Sequence, residues 1–226
     1  MPIVLPPKET RTEIRQRQTR VGLREAAYRL MSASGVDRTT IQEITDAADI
    51  GFGTFYNYYA SKDDLAQDVL DCLIHNIGQR NDLVTELLDE TDPVRVVANS
   101  VRFVIHVIAS EPMFGWWVAH LDLLADRMGI GFAPFGLRDI DRAVAAGAYH
   151  LIGDDRKLAW SQLVWLMAAG GRDIARGVHP PEAERSIVEG ILRVMGVDST
   201  AAHLAVAPDL APTPVLTVDF SYDMQG

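Results

Sequence analysis

Cysteine is nearly absent: Cys72 is the only one in 226 residues. No disulfide can close within one chain, and the composition suits a reducing compartment. The six histidines, at 75, 106, 120, 150, 179 and 203, are scattered. Neither an HExxH pair nor paired CxxC spacing occurs, which removes the common zinc arrangements. His120 with Asp122 or Asp126 comes nearest to a metal pair, while Cys72 lies on an apolar helical stripe that suits a core residue. No metal and no cofactor is expected. Catalysis would need a positioned nucleophile and base, and no such pair stands out. Gly51-x-Gly53 lacks the third glycine and the preceding strand of a dinucleotide fingerprint. Uninterrupted apolar runs of about 18 residues, the length that spans a bilayer, are missing too. The start, Met1 to Glu9, has no charged segment followed by a long apolar one, so no secretory leader is expected. What remains is the expectation of a soluble, cytoplasmic protein with no membrane partner.

Positive charge is scarce as well, but unevenly so. The net charge is −10. Residues 1–62 carry nine of the 21 Lys and Arg but only seven of the 31 Asp and Glu, leaving twelve basic against twenty-four acidic residues beyond them. A slightly basic start on an acidic chain is the distribution needed if that end meets a polyanion. With 48% hydrophobic residues, the chain can bury a sizeable core in one or two domains.

Periodicity is helical nearly throughout, so the expected fold class is all-α. The first 18 residues, with three early prolines and then a basic stretch, read as a loose arm. Leu23, Ala26, Ala27, Leu30 and Met31 mark one buried face of a first helix, which Ser34-Gly35 ends. Thr40 and Glu43 form a capping box that opens a second helix. Ala48-Asp49-Ile50 is a turn, and an eight-residue helix follows from Gly51 with Phe55 and Tyr59 facing inward. Ser61, with Asp64 as a second capping box, starts a long fourth helix striped by Leu65, Val69, Cys72, Leu73 and Ile77. A short helix after a tight turn suits insertion into a DNA major groove. Gly51 and Gly53 leave no side chain between main chain and duplex. Asn57 can pair with adenine, Phe52 or the Thr54 methyl can touch a thymine methyl, and Tyr58 shares their outward face. Thr39, Thr40, Ser61 and Lys62 stand at helix N-termini, whose amides bind phosphate. Packing against the first helix is the competing reading for Phe52 and Tyr56.

The run Ala48 to Tyr59, with Ser61-Lys62 and Leu65 after it, resembles the DNA-binding region of tetracycline-repressor-like (TetR) regulators, without gaps from about Thr19 to Leu70. Gly51 stands where that family often has serine, and Tyr58 where it often has histidine. The resemblance implies that Tyr56 holds a phosphate through its hydroxyl. It also implies a homodimer on a palindromic double-stranded DNA operator, a larger C-terminal domain sensing a small effector, and a dimer interface built from the last two long helices of each subunit. The expected domains are an arm over 1–18, a helix-turn-helix head over 19–66, a sensing and dimerisation body over 67–197 and a tail over 198–226.

In the body, Asp92 caps a helix that Pro93 begins and that runs to about Ser110. Further helices are expected over 112–128, 137–147, 155–177 and 181–195, with a Gly/Pro-rich break at 129–136 and a weak strand pattern at Val215–Val218. Met113, Trp116, Trp117 and His120, near Phe103, His106 and Tyr149, suit an adaptable pocket for a small apolar organic effector. Core packing explains much of the same pattern. Trp160, Leu163, Met167 and Ile174 share a face with Gly170 and Gly171 at its centre. Mid-helix glycines cost roughly 1 kcal/mol each, which a close partner helix could offset, and Ile187 and Ile191 supply a matching stripe. Completing the monomer core is the alternative. Together these features predict a homodimeric transcriptional regulator, a repressor released by its effector. A ligand-independent architectural DNA-binding protein is the alternative, and an enzyme a remoter one.

Overall fold

The computed structural model describes residues 10–210 and 218–222, and among these the chain is all helical. The elements are α1 (Arg11–Ser34), α2 (Ile41–Ala47), α3 (Phe52–Phe55), α4 (Lys62–Leu87), α5 (Pro93–Ser110), α6 (Phe114–Trp117), α7 (Leu121–Gly131), α8 (Ala133–Ala145), α9 (Arg156–Ala175), α10 (Ala183–Val194) and α11 (Ser199–Val206). A 3-10 turn over Ile152–Asp154 precedes α9.

The N-terminal head closes around a small core. Leu23, Ala27 and Met31 of α1, Ile44 of α2, Phe55 of α3 and Leu65 of α4 are all fully buried. The body is organised on α5, which packs against α8, α9, α10 and α11. By length and composition α5 would pass for a membrane span; here other helices surround its apolar sides, as for Ile105 and Phe103. Asp92 caps it as expected, accepting from the Val94 amide at 2.9 Å.

Several boundaries differ from expectation, each for a local reason. The leader expected to be loose through residue 18 is helical from Arg11, because Thr10 and Glu13 form a capping box. The third helix has one α-helical turn rather than eight residues, and residues 56–58 continue as a turn. Ser61 caps α4 through the Asp64 amide at 3.1 Å, which is the N-cap half of the expected box. The helix expected over 112–128 splits at His120 (φ −118°, ψ 63°), giving α6 and α7. The expected break at 129–136 is mostly helix: Pro134 lies in the first turn of α8, where its missing N–H costs nothing. Asp198 caps α11 through the amides of Thr200 and Ala201, inside the stretch expected as tail. The strand expected at Val215–Val218 falls outside the described residues apart from Val218.

Head and body meet at a buried ionic node. Arg24 of α1, 2% exposed, pairs twice with Asp68 of α4, at 2.7 Å through both Nε and Nη2. Its Nη1 donates to the carbonyls of Phe220 (2.8 Å) and Tyr222 (2.7 Å). The Tyr59 hydroxyl donates to the same Asp68 at 2.5 Å, and burial, then the Asp68 charge, pushes the Tyr59 pKa up. Residues 218–222 thus form a strap across α1 and α4. Asn76 exchanges two hydrogen bonds with the Asp219 backbone (3.0 and 2.9 Å). The Tyr222 ring stacks on His75 at 3.6 Å, and Phe220 lies 5.4 Å from Tyr28. Removing one partner of such a node strands the other charge. Asp68→Ala should therefore cost about 3–5 kcal/mol in urea unfolding. A loss below about 1 kcal/mol, the range of an exposed pair, would show the node to be of surface strength.

Candidate functional site

The α2–α3 unit is positioned from both ends. Thr40 accepts from the Glu43 amide at 3.2 Å while Glu43 accepts from the Thr40 amide at 2.8 Å, completing the capping box. The turn is closed by Asp49 in the left-handed region (φ 54°), which aspartate tolerates better than most residues, and by the Ile50 amide on Thr45 O at 3.0 Å. Phe55 and Tyr59 anchor the unit inward. The opposite face carries Gly51, Phe52, Gly53, Tyr56 and Asn57, all exposed, with Thr54 and Tyr58 half-buried.

Two features of that face stand out among the described residues. Phe52 and Tyr56 are 46% and 52% exposed, edge to face at 5.7 Å. A Cβ at Gly53 would meet nothing within 4 Å, and one at Gly51 only the Thr54 hydroxyl at 3.6 Å. Gly51 has φ −68°, open to any residue, and Gly53 lies outside the left-handed region. Among the described residues, neither conformation nor packing demands glycine at either position.

Two expected phosphate contacts are instead occupied within the protein. Thr39 is 2% exposed, and its hydroxyl donates to Gly35 O at 2.9 Å. The Lys62 ammonium donates to the carbonyls of Val36 (2.7 Å), Asp37 (3.1 Å) and Thr39 (2.9 Å). With three donors on three carbonyls, Lys62 ties the α1–α2 loop to the start of α4. Arg11, Arg15 and Arg17, expected in a loose arm, are exposed on the first turns of α1.

The aromatic set expected to line a pocket is dispersed. Met113 and Trp117 are buried in the core, and the indole N–H of Trp117 and hydroxyl of Tyr149 are buried without a hydrogen-bond partner among the described residues. Burial pushes the Tyr149 pKa up. His106 is exposed. Trp116 stacks on His120 at 4.0 Å and donates from Nε1 to Asp37 of the head at 3.1 Å, so this pair joins body to head. Among the described residues no three His, Cys, Asp or Glu are grouped to hold a metal.

An apolar cavity of about 50 Å³ lies elsewhere, between α4, α5, α8 and α9. Phe132, Phe135 and Trp160 give it aromatic walls. Phe135 and Trp160 pack directly on glycines: an added Cβ would collide with the Phe135 ring at Gly78 and with the Trp160 ring at Gly136. One edge is polar. Asp82 and Asp139 line it, and Arg138 bridges them, at 2.8 Å to Asp82 and 3.1 Å to Asp139. Burial raises the Asp139 pKa, against the opposing pull of Arg138.

Trp160, Leu163 and Met167, expected at a dimer interface, line this cavity. Gly170 and Gly171 serve contacts within the chain, a Cβ there reaching Ile187 at 2.8 Å and Ile108 at 2.6 Å. Ile191 is buried, Ile174 and Ile187 half-buried. Both sides of α9 are apolar, and the face left open is the neighbouring one. Leu158, Trp165 and Leu166 of α9 and Val194 of α10 are 38–45% exposed.

Residues 23–69 match the family model described as bacterial regulatory proteins, tetR family, and residues 92–207 match that for the tetracyclin repressor-like C-terminal domain. TtgR of Pseudomonas putida, an HTH-type transcriptional regulator, is 34% identical over 84 residues, covering 37% of this chain and 40% of that protein. The match thus spans about two fifths of the length of the curated relatives. A crystal structure of RolR with resorcinol superposes with TM-score 0.73 at 28% identity, covering 90% of this chain and all of that one. Thermus thermophilus FadR with lauroyl-CoA shares the fold, with TM-score 0.58 at 19% identity over 86% of this chain and all of that one.

Since Lys62 satisfies three carbonyls, Lys62→Met should cost about 1–3 kcal/mol of stability. Thermal unfolding checks this, and an unchanged midpoint would return the ammonium to the role of a free phosphate contact.

Proposed function

Because the chain belongs to the tetR family of bacterial regulatory proteins, we propose that it is a repressor whose α3 enters the major groove of its operator. The observation that carries this is the bare face of Gly51, Phe52, Gly53, Tyr56 and Asn57, which the fold itself does not require. Asn57 and Phe52 read base edges there, with Thr54 and Tyr58 beside them. Tyr56 and the α2 end at Thr40 hold phosphates, and Arg11, Arg15 and Arg17 add sequence-independent attraction. One α-helical turn covers only about 6 Å, so two heads are needed for useful specificity. A homodimer through the open α9–α10 face supplies them, on a palindromic site.

The effector is a small hydroxylated aromatic molecule, the class to which resorcinol, the ligand of RolR, belongs. Phe132, Phe135 and Trp160 suit a flat ring, and Asp82 and Asp139 suit its hydroxyl groups. The cavity of about 50 Å³ is smaller than the ~150 Å³ that admits benzene. Ring binding therefore selects an expanded conformation. Gly78, Asn81 and Asp82 of α4 line the cavity, and α4 begins at the head, so expansion there tilts the reading helix. A coupling of about 1–3 kcal/mol is typical, and operator DNA weakens effector binding by the same factor.

Gly53→Ala separates function from folding. Its added methyl meets nothing in the protein and should leave stability equal or higher by up to about 1 kcal/mol, while operator affinity falls about tenfold or more. Fluorescence anisotropy and thermal unfolding read the two effects, and unchanged affinity would remove α3 from the groove. For the sensor, calorimetric titration with resorcinol should show binding that Asp139→Ala weakens about tenfold, the value of a charge-assisted hydrogen bond. Equal affinity in both proteins would contradict the polar edge as the hydroxyl acceptor.

A further inference from the structure

We propose that a second cavity, adjoining the first between α4 and α5, binds a small organic carboxylate through Arg80. Its volume is about 250 Å³, enough for a substituted ring. Asn81 and Ser100 line both cavities and form the wall between them.

Arg80 is the anomaly that points to an anion. Other partly or fully buried guanidinium groups face a carboxylate: Arg24 faces Asp68, Arg102 Glu184, Arg127 Asp71 and Arg138 Asp82. Arg80 faces none among the described residues, and its Nε is buried without a hydrogen-bond partner. The acids nearby are engaged already. Glu90 accepts from Arg95 at 3.0 Å and from the Asp92 amide at 3.1 Å, and Asp209 pairs with Arg185. Burial without compensation lowers the Arg80 pKa, so the cation is held there at a cost that an anion would offset.

Geometry narrows the ligand class. The guanidinium lies over the Phe103 ring, 3.6 Å from its centroid. This contact restrains the group, and with Nε buried the two terminal nitrogens are left for a fork of two bonds to a carboxylate. Val84, Leu88 and Leu210 give the cavity an apolar side for the body of the ligand, while Thr85, Asn99, Glu90, Arg95 and Asp209 make the rest polar; the two acids there disfavour a multiply charged phosphate. Arg102, close by, is committed to Glu184 and to Pro208 O, each at 2.7 Å. Arg95, the other guanidinium lining the cavity, is paired with Glu90, so among the described residues Arg80 is left to match a single negative charge.

Benzoate, its neutral counterpart benzamide and inorganic phosphate test this by calorimetric titration of the full chain. Benzoate should bind at least tenfold more tightly than either of the others. Arg80→Met, which keeps the stem over Phe103, should lose at least tenfold in benzoate affinity while retaining resorcinol binding and the circular dichroism of the parent. Arg80→Lys, charged but without the fork, should fall between them, and it carries the test if the methionine variant misfolds. Equal benzoate affinity in parent and variants, phosphate binding as tightly as benzoate, or no benzoate binding would each overturn the assignment. Loss of resorcinol binding by the parent chain would overturn the effector reading and leave this one standing.

Discussion

The buried pair between Arg24 and Asp68 is the constraint on which the rest of the molecule depends. Four parts of the chain converge on it: α1, α4, the anchor Tyr59 behind the reading helix, and the strap at 218–222. A guanidinium this buried is tolerable only if its donors are satisfied. Two carbonyls and a bidentate carboxylate do that here, and the requirement fixes the angle between α1 and α4. The surface offered by α3 follows from that angle, because Phe55 and Tyr59 seat it on the same core.

From this node α4 runs without interruption to the cavity wall. Asp68 and Asp82 lie fourteen positions apart, about 20 Å along the helix, one holding the head and the other part of the polar edge that Arg138 bridges. A second link crosses from body to head through Trp116 and Asp37, on the loop that Lys62 also grips. The head is therefore held by rigid elements with discrete contacts, and displacement at the cavity must be absorbed at the node, at Trp116 or by rotation of the head. Packed interfaces switch between arrangements and do not bend smoothly. In the proposed homodimer that property would turn a small expansion into a change of head spacing.

Much of the head was legible in the sequence because its signals are local. The Thr40–Glu43 box, the caps at Ser61 and Asp92 and the inward Phe55–Tyr59 pair act over three or four residues, and the sequence shows them directly. The same logic, applied to Thr10–Glu13 and to Asp198, would have found the true start of α1 and the presence of α11. What stayed hidden needs partners far apart in sequence. Arg24 meets Phe220 across 196 positions, and no periodicity reports that. In the body, an apolar stripe reveals that a helix is buried without revealing against what. Trp160, Leu163 and Met167 therefore read as an interface when they face the cavity, and Trp116 read as pocket lining when it joins head to body. Gly170 and Gly171, expected at a dimer interface, do mark close helix approach, but the approaching side chains, Ile187 and Ile108, lie in the same chain.

In the proposed homodimer, head spacing connects cavity to operator, and it can be measured directly. Cys72 is fully buried, so a spin label on Glu25→Cys, at an exposed position of α1, reports the distance between the two heads by double electron–electron resonance. Operator DNA should narrow the distribution to one that sets the α3 helices about 34 Å apart, one turn of duplex, and saturating resorcinol should move it away from that value. An identical distribution in the free, operator-bound and resorcinol-bound protein would contradict coupling through α4.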